Sequence, residues 1–89
     1  MKESQLQKKI LRYLSQLEGC ECFKVISANK AGVADIVCCY QGKFVAIEVK
    51  VGSNRPTALQ ERFLERIKEA GGVAIVAYDL DDVKGLLDG

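Results

Sequence analysis

Apolar side chains recur three or four positions apart near the start of the chain, which is the spacing of one helix face. Gly19 follows as a helix stop signal. The pattern therefore predicts an amphipathic first helix over residues 3–17. Its apolar positions are Leu6, Ile10, Leu11, Tyr13, Leu14 and Leu17.

Three β-rich runs come next, at residues 22–27, 33–40 and 43–51. Only Gln41 and Gly42 separate the second run from the third, and glycine tolerates the positive φ of a two-residue hairpin turn. We expect three antiparallel strands, of which the last two are joined by that hairpin.

The second half of the chain alternates between helix and strand signals. Thr57 can cap a second helix that ends at two glycines, residues 71–72. Residues 73–78 form an apolar run typical of a buried parallel strand, and Asp79 can cap a short last helix. The predicted fold class is α/β (α+β). The predicted element order is αβββαβα, with a four-stranded mixed sheet and helices on both faces.

The chain has 89 residues, which predicts a single domain over residues 1–89 with a limited core. The apolar runs are too short to span a membrane, and the N-terminus lacks the apolar stretch of a secretory signal, so we expect a soluble intracellular protein. Net charge is +1, but the acidic residues 79–89 leave the rest of the chain mildly basic. One sheet face cannot bury every apolar residue of the helices, so Leu11, Tyr13 and the last helix are predicted contributors to a dimer interface.

Four cysteines suggest either a zinc site or two disulfides. Cys38 and Cys39 are adjacent in a predicted strand and point to opposite faces, so they cannot both bind one ion. We expect free, mostly buried thiols at Cys20, Cys22, Cys38 and Cys39.

The hairpin turn sets the register of the strands that it joins. In this register Asp35 faces Glu48, with Lys50 at the same end of the same face, while Ala34 faces Val49 on an apolar opposite face. Facing carboxylates repel each other unless a raised pKa or a bound cation compensates. A divalent ion such as Mg²⁺ favours these oxygen ligands and polarises a phosphoryl oxygen. Lys50 is placed to orient or deprotonate a water and to steady charge on a phosphate.

Each of these candidates also has a plainer structural interpretation. Asp35, Glu48 and Lys50 would be surface residues if the strand were exposed, although helices expected on both faces argue against this. Glu3 is a third carboxylate on the apolar stripe of the first helix, or a first-turn acid favoured by the helix dipole. Gln60 serves the site, or only completes a capping box.

Two basic residues lie in loops at the same end of the predicted sheet. Lys30 precedes the strand that carries Asp35, and Arg55 follows the strand that carries Lys50. Both are candidates for binding the phosphates of nucleic acid, although isolated basic loop residues are usually only solvated.

The first helix, which begins at the acidic Glu3, is followed by three segments: residues 32–35 (Gly-Val-Ala-Asp), 46–50 (Ala-Ile-Glu-Val-Lys) and 57–60 (Thr-Ala-Leu-Gln). Together they resemble the virus-type replication-repair nuclease domain, VRR-NUC, of the PD-(D/E)xK superfamily. The likeness covers residues 3–78, and Ala34 stands where the family often has proline.

The resemblance implies a restriction-endonuclease-like core and a dependence on Mg²⁺ or Mn²⁺. It implies Lys50 as the catalytic lysine and Gln60 as a supporting residue. The implied metal ligands are Glu3, Asp35, Glu48 and the backbone carbonyl of Val49. Stand-alone members, typically from phages and so placed in the host cytoplasm, are implied to act as homodimers on branched DNA such as four-way (Holliday) junctions.

The predicted function is therefore that of a metal-dependent endonuclease acting on DNA, without a membrane partner. One alternative is a non-catalytic nucleic-acid-binding module that retains the nuclease fold, and another is a small interaction protein. Two facing carboxylates argue against a pure binder, because they repel phosphate.

Overall fold

The architecture is taken from a computed structural model, which describes residues 1–88. It contains three helices, α1 (Glu3–Ser15), α2 (Ala58–Glu69) and α3 (Leu80–Asp88), and four strands, β1 (Cys20–Lys24), β2 (Ile36–Tyr40), β3 (Lys43–Val49) and β4 (Val73–Ala77). The predicted order αβββαβα is confirmed.

The four strands form one mixed sheet in the order β1-β2-β3-β4. The first two pairings are antiparallel, and β4 lies parallel to β3. Ile36 lies opposite Ile47, which is the register predicted from the turn. Gln41 and Gly42 have φ values of 50° and 85°, and two successive positive φ angles are what a type I′ hairpin turn requires.

One face of the sheet is covered by α1 and α3 and carries the larger hydrophobic core. Leu6, Ile10 and Leu14 are almost completely buried because they repeat at helical spacing along the inner stripe of α1. The buried strand and α3 residues of this core are Ile36, Cys38, Val45, Ile47, Val49, Ala77 and Val83.

Leu11 and Tyr13 of α1 are partly buried against this same core, as are Leu86 and Leu87 of α3. The Lys84 ammonium lies 5.3 Å from the centre of the Tyr13 ring. These side chains are only partly covered within the chain, because α3 packs against α1 as well as against β4. Their predicted part in a dimer interface stays a prediction.

The opposite face is covered only in part. α2 packs on β3 and β4, where Leu64 meets the small residues Ala46 and Ala74. Phe23 on β1 and Phe44 on β3 remain 59% and 46% exposed. Helices lie on both faces, as predicted, but this second face stays open toward β1.

Some element ends differ from the sequence-based prediction. β1 begins and ends earlier than residues 22–27. α1 ends at Ser15 rather than at residue 17, because the Leu17 N–H bonds to the carbonyl only three residues back, that of Leu14, at 3.1 Å. Such a bond tightens the last turn into 3₁₀ geometry and stops the α-helix.

The start of β2 also differs, and Asp35 provides the reason. Its carboxylate oxygen Oδ2, in place of a backbone carbonyl, accepts the N–H of Val49 at 2.9 Å. The regular ladder therefore begins only at Ile36. The predicted pairing of Ala34 with Val49 on the apolar face is wrong, since Ala34 is buried in the other cluster, beside Ala46.

The cysteines are free thiols in this structure. Cys38 is buried and its neighbour Cys39 is exposed, as expected for adjacent strand residues that point to opposite faces. The expectation that most of the thiols are buried is wrong, because Cys20 and Cys22 are only partly covered. None of the helices formed by residues 1–88 has both the length and the apolar character needed to cross a membrane.

Candidate active site

Asp35 and Glu48 lie together at the end of the sheet where β2 begins and β3 finishes. The register brings them side by side, because each adjoins the Ile36 and Ile47 pair. Asp35 is held by the Val49 N–H, which donates to its Oδ2 atom, and its own backbone carbonyl accepts the Val25 N–H at 2.8 Å. Asp35 is thus held on both sides, through its carboxylate by β3 and through its backbone by the residue that follows β1.

Glu48 is buried, with only 1% of its surface exposed. Its Oε2 atom lies 3.4 Å from the Lys50 ammonium nitrogen, and the Lys50 side chain is itself largely covered. Its second oxygen, Oε1, has no hydrogen-bond partner among residues 1–88. A buried carboxylate oxygen without a donor is costly, so this atom fits a site that binds a cation.

The pKa of Glu48 is raised from its ordinary value of 4.5 to about 7. Burial is the largest cause, since removal from water disfavours the charged form, and the neighbouring Asp35 carboxylate raises the pKa further. Lys50 acts in the opposite direction and lowers it. The lysine alone therefore does not offset burial and repulsion, and a second cation would.

The backbone of Val49 contributes to the same place. Its N–H donates to Asp35, whereas the next N–H, that of Lys50, donates to Ala77 of β4 at 3.1 Å. The N–H and C=O of one strand residue point to the same neighbour, so the Val49 carbonyl also faces the Asp35 side. Two carboxylates and one carbonyl are oxygen donors of the type that Mg²⁺ binds together with water and phosphate.

Glu3 lies at the same end of the molecule but in a different contact. Its Oε2 atom accepts a hydrogen bond from Asn54 at 3.3 Å, in the loop that follows β3. Within residues 1–88 no three His, Cys, Asp or Glu side chains come close enough together to hold a metal ion. The structure thus joins Asp35 and Glu48 but not Glu3.

Gln60 forms the capping box that the sequence indicates. Its side-chain carbonyl accepts the Thr57 N–H at 2.8 Å, and its own N–H donates to the Thr57 hydroxyl at 3.2 Å. The structural role is therefore present, while the amide NH₂ group of Gln60 is left to donate to a ligand. Loop residues Lys30 and Arg55 are both exposed.

Gln7 is a polar residue that the sequence analysis did not single out. It is 8% exposed, and its Oε1 atom has no hydrogen-bond partner in the described part of the chain. Its position was a usable signal, because Gln7 follows Glu3 by one helical turn and precedes Ile10 by three residues on the apolar stripe. A polar side chain on such a stripe is buried unless the helix is exposed.

Comparison with solved structures identifies the fold. One, described as a "VRR_NUC domain", has a TM-score of 0.80 and 24% sequence identity over 97% of this chain and 94% of that one. Another, a "VRR_NUC domain protein", has a TM-score of 0.76 and 18% identity over 99% and 86%. No protein-family model and no curated protein matches the sequence. The likenesses show the VRR_NUC nuclease fold, which confirms the fold expected from the sequence.

Proposed function

We propose that this chain is a divalent-metal-dependent endonuclease that hydrolyses phosphodiester bonds of DNA, with residues 1–89 forming a single domain. The observation that carries the proposal is the buried pair Asp35 and Glu48, in which Glu48 Oε1 lacks a partner although Lys50 lies beside it. A non-catalytic binding module would gain nothing from this arrangement, because buried carboxylates repel phosphate and cost stability.

Asp35, Glu48 and the Val49 carbonyl are the proposed ligands of Mg²⁺ or Mn²⁺, with Glu3 as a further proposed ligand. When bound, such an ion supplies Lewis-acid polarisation of a phosphoryl oxygen and lowers the pKa of a water. Asp35 is held in place by the Val49 N–H, so its carboxylate needs little reorganisation to act as a ligand.

Lys50 is the proposed catalytic lysine. Its ammonium group is largely covered and lies 3.4 Å from Glu48, so it is confined to the site rather than free in solvent. From there it orients the attacking water and donates hydrogen bonds to the phosphate, where negative charge develops. Gln60 supports the site with the amide NH₂ group that its capping role leaves available.

The proposed substrate is branched duplex DNA such as a four-way junction, and the proposed working unit is a homodimer. A small surface with few basic residues makes few phosphate contacts, and each is weakened by salt. A two-fold dimer doubles those contacts and presents two sites to two strands of a symmetric junction. Lys30 and Arg55 are the proposed loop contacts to DNA phosphates.

The test is cleavage of labelled linear, flapped and four-way DNA with EDTA, Mg²⁺ or Mn²⁺. Glu48→Gln and Lys50→Met should each abolish cleavage while circular dichroism shows a folded protein. Glu21→Gln is the matched control, because Glu21 is an exposed carboxylate on the same sheet face, at its other end. Full cleavage in EDTA, or by the Glu48→Gln protein, would contradict the metal mechanism.

Assembly and substrate preference are tested separately. Sedimentation should give the mass of a dimer at micromolar concentration, and four-way junctions should be cut faster than linear DNA of the same sequence. A monomer would refute the assembly, and equal cutting of both substrates would refute the selectivity, while the cleavage chemistry would stand in either case.

A further inference from the structure

A groove runs along the outer side of α2, next to the loop that precedes Asp35. Every side chain that lines it is either cationic or apolar, and no carboxylate is among them. The lining residues are Lys30, Ala31, Leu59, Arg62, Phe63 and Arg66.

The groove exists because the loop before Asp35 packs tightly on the first turn of α2. At Gly32 a Cβ atom would lie 2.6 Å from the backbone carbonyl of Leu59, and the backbone has a φ of +83°, so only glycine fits. This close approach places Lys30, two residues earlier, in the lining of the groove beside α2. One wall of the groove therefore leads, within three residues of Gly32, to the carboxylate of Asp35.

The groove also has a direction relative to the candidate active site. β3 and β4 are parallel and joined by α2, so the helix runs antiparallel to both strands and starts at the end of β3 that carries Lys50. Gly72, just after the C-terminal end of α2, lies close to the start of β3, since a Cβ atom added there would be 3.1 Å from the carbonyl of Phe44. Arg62 and Arg66, about 6 Å apart along the axis, thus lead away from the site.

The cations of the groove are free to bind an external anion. Within residues 1–88 the ion pair between Lys50 and Glu48 is the only one formed, so Lys30, Arg62 and Arg66 have no carboxylate partner. Arg62 and Arg66 also line a neighbouring depression together with Glu65 and Glu69, but among the described residues neither glutamate lies within ion-pairing distance of them. Leu59, at the end of the groove nearest the site, is 57% exposed.

We infer that this groove binds the sugar–phosphate backbone of the DNA strand that enters the candidate active site. Lys30, Arg62 and Arg66 hold successive phosphates, and the apolar surface of Leu59 packs against a sugar or base. The groove combines a row of unpaired cations with apolar side chains and leads to the proposed phosphodiesterase site. It therefore matches a polynucleotide in both charge and direction. The inference rests on the proposed function and extends it to residues outside the catalytic centre.

The test measures binding by fluorescence anisotropy in EDTA, so that no cleavage is involved. The probes are a labelled single-stranded oligonucleotide and a duplex of equal length. The groove variant is Arg62→Gln with Arg66→Gln, and the control is Lys8→Gln with Arg12→Gln. Both pairs are exposed, four residues apart on one helix, and remove two positive charges.

The groove variant should bind at least one of the two probes about tenfold or more weakly, and the slope of log affinity against log salt should fall by about two. The control variant should change neither quantity appreciably. Leu59→Ser should weaken binding without changing the salt slope, because it removes apolar contact and no charge. These two signatures together separate a groove contact from a general loss of charge.

Unchanged binding and slope in the groove variant, or equal losses in the control, would overturn the inference. So would displacement of the DNA by an oligoglutamate peptide at the same concentration as by unlabelled DNA, because the groove would then fit any polyanion. If DNA binding depends on the groove but the protein does not cleave DNA in Mg²⁺, the proposed nuclease function is refuted and the groove inference is supported. If the protein cleaves DNA but binding does not depend on the groove, the groove inference is refuted and the nuclease function is supported.

Discussion

The two faces of the sheet use the same strands for different purposes. The face under α1 and α3 is continuous and apolar, and Ile36, Ile47 and Val49 are fully buried there. The face under α2 holds Glu48 and Asp35 at one end and leaves Phe44 half exposed at the other. Because strand residues alternate between faces, neighbouring positions such as Ile47 and Glu48 fall in opposite environments.

The main hydrophobic core and the candidate active site therefore lie on opposite faces of one sheet. Burial of apolar area stabilises the fold and is supplied mainly by the first face. The second face tolerates a buried charge pair, which costs free energy, because the first face can offset that cost. Substitutions on the two sides of one strand should therefore have opposite effects on stability and activity.

The largest effect on stability is expected from Ile47→Ala on the closed face. Ile47 is fully buried between the strands and the two covering helices, so the truncation should cost about 2–5 kcal/mol. Chemical denaturation monitored by circular dichroism measures this. Phe44→Ala on the open face is the comparison and should cost about 1 kcal/mol or less, because the ring is already half in water. Equal losses for the two variants would erase the distinction between the faces.

Glu48→Gln is expected to stabilise the folded protein in EDTA at pH 8, by less than Ile47→Ala destabilises it. The folded pKa of Glu48, about 7, exceeds its ordinary 4.5, so the folded state binds the extra proton between these values. The stability gained from this tighter proton binding is fully present below pH 4.5 and is lost as pH rises through 7. Glutamine cannot ionise, so the variant should melt several degrees higher than the wild type at pH 8, while the gap narrows toward pH 5.

Glu21→Gln, an exposed carboxylate on the same face, should leave the pH dependence of melting as it is in the wild type. The melting temperature of the wild type, compared with that of the Glu48→Gln protein, should fall between pH 5 and pH 8. If it does not, the surroundings of Glu48 do not raise its pKa.

Two substitutions of Asp35 should separate its structural role from its charge. Asparagine keeps an oxygen that can accept the Val49 N–H, whereas alanine leaves that donor without a partner. We expect Asp35→Asn to be more stable than Asp35→Ala by about 1 kcal/mol, although both should be inactive. Denaturation midpoints and cleavage rates measure the two properties. If asparagine and alanine are equally stable, the bond to Val49 has no part in holding the strand end.

The smallest effect is expected from Phe23→Ser, at the open edge of the second face. Phe23 is 59% exposed, so stability should change by only about 0.5 kcal/mol, as for other surface substitutions. Thermal melting of the variant beside the wild type is sufficient. A loss as large as that of Ile47→Ala would show that this edge is covered in solution, for example by a second copy of the chain.

Local patterns in the sequence were sufficient to predict the order of the elements and the proximity of Asp35 and Glu48. Helical spacing defined the buried stripe of α1, and the turn at Gln41 and Gly42 determined the register that brings Asp35 beside Glu48. These features follow from backbone periodicity and turn geometry, which act over a few residues and are therefore visible without the fold.

Only the tertiary structure decided which of those side chains are covered and by what. α3 packs on α1 with Lys84 over the Tyr13 ring, and Glu3 contacts Asn54 instead of joining the carboxylate pair. The loop before Asp35 packs on α2, so that Lys30 lines a groove with residues of that helix. Each outcome depends on contacts between segments far apart in the chain. Periodicity says which face of an element is apolar, but the partner that packs on it is set by the arrangement of all the elements together.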